Sequence, residues 1–92
     1  FVVVIDNHGL NKGIFTDGDL KRSLQKKKSI ANLKIKSVMT KKPFIVEANA
    51  LATTILRQMN KRKITSVCVY NKKNKRKTIG VIHIHHLLKF IK

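Results

Sequence analysis

The alternation of hydrophobic and polar positions divides the chain into short elements. Phe1-Val2-Val3-Val4-Ile5 is an unbroken apolar run, β-branched after its first residue and ended by Asp6-Asn7-His8-Gly9, which predicts a fully buried strand followed by a turn. Gly13-Ile14-Phe15-Thr16 predicts a second short strand. Asp17-Gly18-Asp19 then opens a helix carrying Leu20 and Leu24, with Asp17 as its expected N-cap, and Lys26-Lys27-Lys28-Ser29 ends it. Residues 26–42 look like a polar linker with Ile30, Leu33 and Ile35 as scattered anchors. From Ala48 the spacing becomes helical: Ala48, Leu51, Ala52, Ile55, Leu56 and Met59 fall on one apolar stripe. Asn49 is a candidate cap for this helix, Pro43 holds the entering segment extended, and Lys61-Arg62-Lys63 places cations at the far end, where they suit the helix dipole. Ile64–Tyr70 predicts a strand, Asn71–Lys77 a charged hairpin loop and Thr78–Ile82 another strand, while Leu87, Leu88 and Ile91 mark a short closing helix. The predicted order is β-β-α, linker, α-β-β-α.

That order contains a duplication. Val2–Asp6 matches Val67–Asn71 at an offset of 65, and Gly13–Thr16 matches Gly80–His83 at an offset of 67, the second loop being longer. Each copy then enters a helix with a leucine at the equivalent place, Leu20 and Leu87. One copy is complete and the other lacks its front, which implies tandem α/β modules rather than a solenoid. A chain that opens inside a core strand is expected to be a cut one.

Composition narrows the class. At 92 residues the chain is one domain or a fragment of one. Twenty-one Lys and Arg against four Asp and Glu give a net charge of +17, a field that attracts phosphates, nucleic acids and anionic lipid surfaces. The 42% of apolar residues are enough for a small core, which excludes a disordered basic tail. The single cysteine, Cys68, forms no intramolecular disulfide and fits a reducing, cytoplasmic setting; placed in an apolar strand, it is expected to be buried and inert. No apolar run approaches a membrane span, and no Walker sequence, Ser-His-Asp order or spaced carboxylate pair suggests catalysis within these residues.

Three segments together resemble a known family. Val3–Arg22, with its Gly-Ile-Phe-Thr-Asp-Gly-Asp-Leu, Val38-Met39-Thr40 followed by Pro43, and Ile79–Leu88 are similar to a pair of cystathionine-β-synthase (CBS) domains. More narrowly, they resemble the C-terminal CBS pair of arabinose-5-phosphate isomerases, whose catalytic SIS domain lies N-terminal to the pair. The resemblance implies an α+β fold, each module a small three-stranded sheet with two helices. Residues 1–33 would then be the C-terminal part of a truncated first module with its linker, and residues 34–92 a second module. Lacking its first strand and helix, the first module would keep a marginal two-stranded sheet that needs outside support.

The same resemblance assigns a ligand cleft. The family's Gly-x-x-Ser/Thr-x-x-Asp signature falls on Gly13, Thr16 and Asp19. The Asp19 carboxylate can accept two hydrogen bonds from the vicinal hydroxyls of a ribose, while Thr16 and the helix N-terminus can meet a phosphate, with charge added by Lys21 and Arg22. The alternative is that Thr16 and Asp17 cap the helix, Asp19 favours its first turn, and Lys21 and Arg22 belong to a solvated helix face. In the second module His83 and His86 stand where Thr16 and Asp19 stand in the first, and imidazole is no bidentate acceptor for a diol. Related isomerases have His-x-His-Asp here, so His86 is the departure, and nucleotide binding by the second cleft is in doubt. Thr40 and Pro43 would border the cleft, and Thr65 and Ser66 would line it from the next strand. His83 and His85 can share a strand face, but no Cys or carboxylate nearby in sequence completes a metal site, and no metal or cofactor is expected.

The expected function is thus a non-catalytic regulatory pair. It would bind an adenine or cytidine nucleotide or a CMP-sugar and modulate or assemble an attached sugar-phosphate isomerase of Kdo and lipopolysaccharide synthesis, in a homo-oligomer. A nucleic-acid-binding module is the rival suggested by charge. Aromatic residues at 5% and the excess of Lys over Arg disfavour it, because stacking platforms interleaved with Arg are its mark. A purely structural dimerisation domain is the third class.

Overall fold

A computed structural model describes residues 1–26 and 31–89, in two compact units, Phe1–Pro43 and Phe44–Lys92. The first unit holds β1 (Val2–Ile5), β2 (Asn11–Phe15), α1 (Asp17–Lys26), α2 (Ile35–Val38) and β3 (Thr40–Lys41). The second holds β4 (Ile45–Glu47), α3 (Ala52–Arg62), β5 (Ser66–Asn71), β6 (Asn74–His83) and α4 (Ile84–Leu88). Among the described residues the fold is α+β, two three-stranded sheets with four helices.

In the first unit the sheet order is β1-β2-β3, antiparallel throughout. The apolar run at the N-terminus is a strand, but not a fully buried one: Val2 and Ile5 are 54% and 58% exposed. Such a run reports strand propensity, whereas burial depends on neighbouring layers, and β1 lies at the edge of its sheet with β2 as its one strand neighbour. The expected linker is partly ordered structure. Residues 35–38 form a helical turn and Thr40–Lys41 pair with Ile14 and Gly13, so the first sheet has a third strand from the connecting segment rather than the two foreseen. Gly13 permits this close approach, since a Cβ there would sit 2.5 Å from the Thr40 carbonyl oxygen and 3.0 Å from Met39 Sδ. Ile30 and Lys27-Lys28-Ser29 lie outside the described residues.

In the second unit β5 is central, parallel to β4 and antiparallel to β6. Val46, Ile55, Met59, Val67 and Leu87 form the core, with Phe44, Leu56, Ile64, Val69, Ile82 and Ile84 packed against it. Three expectations need correction. The helix starts at Ala52, Leu51 is its N-cap with no side-chain cap bond, and Leu51 is 70% exposed, so Ala48, Asn49 and Leu51 belong to the turn before it and only the later stripe faces the core. The charged loop is a tight turn at residues 72–73, because β6 runs from Asn74 and keeps its lysines exposed on an edge strand, a common protection of sheet edges. The strand β4, absent from the predicted order, begins two residues after Pro43. The far end of α3 is as expected, closed by Lys63 in the left-handed conformation. Cys68 is fully buried in β5, as expected, and Ile91 lies outside the described residues.

The duplication reaches the register. Val2, Val3 and Val4 face Phe15, Ile14 and Gly13; their matches Val67, Cys68 and Val69 face Ile82, Val81 and Gly80. Both ladders shift immediately afterwards, at Val4/Ile5 and at Val69/Tyr70. Both turns open alike, with Asp6 Oδ1 accepting from the His8 N–H at 2.8 Å and Asn71 Oδ1 from the Lys73 N–H at 2.8 Å.

Candidate functional site

Each repeat ends its hairpin in a corner where a strand becomes a helix, and these corners hold most of the candidate residues. In the first, Thr16 leaves β2 and its carbonyl accepts the Leu20 N–H, starting α1. Its hydroxyl accepts the Asp19 N–H at 3.2 Å, and Asp19 Oδ2 accepts the Thr16 N–H at 2.9 Å, a reciprocal capping box. Thr16 is therefore the cap in place of Asp17, which is exposed in the first helical turn. The threonine wins because reciprocity with a carboxylate three residues on satisfies both backbone donors.

Asp19 is 4% exposed and its carboxylate is saturated. Oδ2 also accepts from the Thr16 hydroxyl at 3.1 Å, while Oδ1 accepts from the Thr40 hydroxyl at 2.9 Å and from the Arg22 guanidinium. These four bonds match the four acceptor positions of a carboxylate. Burial pushes the Asp19 carboxyl up, but the Thr16 N–H, Thr40, Arg22 and the Thr16 hydroxyl together outweigh it and hold the group below its ordinary 3.8. Thr16, Asp19 and Thr40 are thus one cluster although Thr40 is 21 residues away in sequence.

The role of Arg22 was the part least visible in the sequence. It belongs to the solvated helix face by composition, yet its guanidinium folds back over the first turn; a Cβ on Gly18 would lie 3.3 Å from Arg22 Nη1. The i,i+3 spacing from Asp19 is the signal that could have found it. Pro43 is not part of this cluster; it lines a separate groove with Val4, Ile5, Met39 and the Lys12, Lys36, Lys41 and Lys42 side chains.

In the second corner His83 takes the place of Thr16 and His86 that of Asp19. His83 Nδ1 accepts the His85 N–H at 3.2 Å and His86 Nδ1 accepts the His83 N–H at 3.3 Å, again a capping box at the start of a helix. The Thr65 carbonyl accepts the Ile84 N–H at 2.8 Å, so Thr65 braces this corner through its backbone. His85 lies on α4 rather than on a strand face with His83, though their rings stack at 4.7 Å. Ser66 is buried at the start of β5. No cluster of three or more His, Cys, Asp or Glu side chains suited to a metal occurs among the described residues.

Comparison with known proteins agrees with this duplicated architecture. Residues 35–92 match the model of the CBS domain. The arabinose 5-phosphate isomerase KdsD of Pseudomonas aeruginosa is 37% identical over 87 residues, 95% of this chain and 26% of the isomerase; the chain thus spans about a quarter of that relative's length. Among solved structures, the CBS-domain containing protein ATU1752 of Agrobacterium tumefaciens superposes with a TM-score of 0.87 at 24% identity, covering 97% of this chain and 69% of that one. The CBS domain pair of protein MJ0100, in complex with 5'-methylthioadenosine and S-adenosyl-L-methionine, gives 0.83 at 21% identity, covering 97% and 67%. With a family match over more than half of its length and hairpins repeated in register, the chain belongs to the CBS domain family.

Proposed function

We propose that this chain is the regulatory CBS pair of a sugar-phosphate isomerase of the arabinose-5-phosphate type, binding a nucleotide or nucleotide-sugar and modulating or assembling the enzyme. The observation that carries the reading is the 37% identity to KdsD sustained over 95% of the chain. In this reading residues 1–33 are the C-terminal part of the first module with its linker and residues 34–92 the second. A SIS isomerase domain belongs to the same parent protein, which acts as a homo-oligomer in the cytoplasm on the route to Kdo and lipopolysaccharide.

The ligand site is the first corner. Asp19 Oδ1 takes ribose hydroxyls, Thr16 and Thr40 border the ligand, and Pro43, Thr65, His83 and His86 are secondary candidates. The adenosine compounds held by MJ0100 support a nucleoside-bearing ligand, and the isomerase relationship supports a cytidine nucleotide or CMP-sugar. No helix among the described residues is long and apolar enough to cross a membrane, and aromatic residues for stacking nucleic acid bases are few. Thermal melting of the chain with AMP, ATP, CMP and CTP tests the reading: a rise with at least one nucleotide, lost in Asp19→Ala, is expected. No rise with any of them would count against ligand sensing.

A further inference from the structure

The carboxylate that would grip a ribose is already fully bonded, so a ligand has to displace something. Thr16 holds Oδ2 through its backbone N–H and its hydroxyl, as part of the helix cap, and cannot leave without opening α1. Oδ1 is held by Thr40 and by Arg22, both exposed; Thr40 is fixed by the pairing of β3 with Ile14, whereas Arg22, its side chain 62% exposed, is the partner whose long stem can swing its head group into water. Arg22 also lies over the first turn of α1, beside Gly18, with its guanidinium on Oδ1.

Next to it runs a groove of about 510 Å³, within the usual range for a small-molecule site. Asp19, Arg22, Ser23 and Lys26 line it from one face of α1, and Asn32, Lys34 and Ser37 from the opposite wall. The lining thus holds three cations and one carboxylate, and that carboxylate is already paired with Arg22.

We infer that Arg22 is a specificity-determining latch that makes the Asp19 corner select anionic nucleotides over neutral nucleosides. The inference rests on the reading of Asp19 as the ribose acceptor. A neutral nucleoside replacing Arg22 exchanges a charge-assisted bond for an ordinary hydroxyl bond, about half as strong, and leaves the guanidinium without a partner. A nucleotide replaces the same bond but carries a phosphate that the released Arg22 can grip in its fork, with Lys26 one turn along α1 and Lys34 across the groove adding charge. Discrimination therefore arises from the displaced side chain being paid back only by an anion.

Calorimetric titration of the full chain with cytidine against CMP, and adenosine against AMP, tests this. The wild-type chain is expected to prefer the nucleotide by about tenfold or more, the worth of one charge-assisted hydrogen bond. Arg22→Gln should collapse that preference, weakening the nucleotide and strengthening the nucleoside, while Lys26→Gln, at an exposed position, should lower it by weakening the nucleotide alone. A preference unchanged in R22Q, or in K26Q where R22Q does not fold, overturns the latch and leaves the nucleotide reading standing. Binding of none of the four compounds by any of the chains overturns the nucleotide reading, and the latch with it.

Discussion

The Thr16–Asp19 and His83–His86 corners are built alike and equipped differently. Both close an antiparallel hairpin of the same register, and both start a helix with a reciprocal capping box. In the first the box is a hydroxyl and a carboxylate, and the carboxylate has acceptor positions beyond those the cap uses, which Thr40 and Arg22 occupy. In the second each imidazole spends its Nδ1 as the acceptor, so the remaining ring nitrogen, Nε2, is a donor when the ring is neutral. The scaffold keeps the cap, and only the first corner keeps an anionic acceptor that a diol could use. Capping geometry alone therefore does not distinguish a binding corner from a structural one.

The largest difference between the corners is expected from Asp19→Ala. It removes four hydrogen bonds, one of them half of the cap, costing about 2 kcal/mol of first-unit stability, measured by chemical denaturation, and abolishing any nucleotide-dependent rise in melting temperature. The matched glycines come next. Gly13→Ala would press a Cβ onto the Thr40 carbonyl oxygen, prising β3 from β2 at a cost of about 1–3 kcal/mol, whereas Gly80→Ala meets nothing nearer than Val69 Cβ at 3.9 Å and should cost about 0.5 kcal/mol or less. Equal losses in the two melts would show that β3 does not depend on Gly13.

Acid should separate the corners as well. The folded Asp19 carboxyl lies below its ordinary 3.8, so its contribution is fully present above that value and is lost as pH falls through it towards the folded pKa. Asp6 is lowered too, first by the Leu10 N–H, and adds a slope of the same sign. A melting series from pH 5 to pH 2, on the order of this interval, should therefore fall less steeply in Asp19→Asn than in the wild-type chain. A gain rather than a loss is expected from His86→Asp, which restores the carboxylate to the second corner; it should stabilise α4 by about 0.5 kcal/mol or less and add a second, weaker nucleotide site, seen as a change in calorimetric stoichiometry.

Much of this was legible in the sequence because the duplication doubles every signal. The match of Val2–Asp6 with Val67–Asn71 predicted two hairpins, and their registers coincide. Thr16 and Asp19 could be placed at a strand-to-helix corner from the change in hydrophobic period alone. What stayed hidden was set by partners distant in sequence or by local choices of low energy. Thr40–Lys41 is two residues long and polar, so it has no strand pattern of its own and becomes one only against Ile14 and Gly13. Thr16 or Asp17 could each cap α1, and the choice falls to Thr16 because Asp19 reciprocates. His83 and His86 fit no customary capping pattern, yet imidazole nitrogens accept backbone N–H groups in the same geometry. Arg22 looked like solvated charge because its spacing from Asp19 says only that the two can meet.

The most direct test of the difference between the corners is a residue-resolved nuclear magnetic resonance titration of the full chain with CMP and AMP. Backbone amide shifts confined to Thr16–Lys26, Lys34 and Thr40, with His83–Leu87 unmoved and the response absent in Asp19→Ala, are the predicted result. Shifts centred on His83–His86, or a response that survives Asp19→Ala, would contradict it.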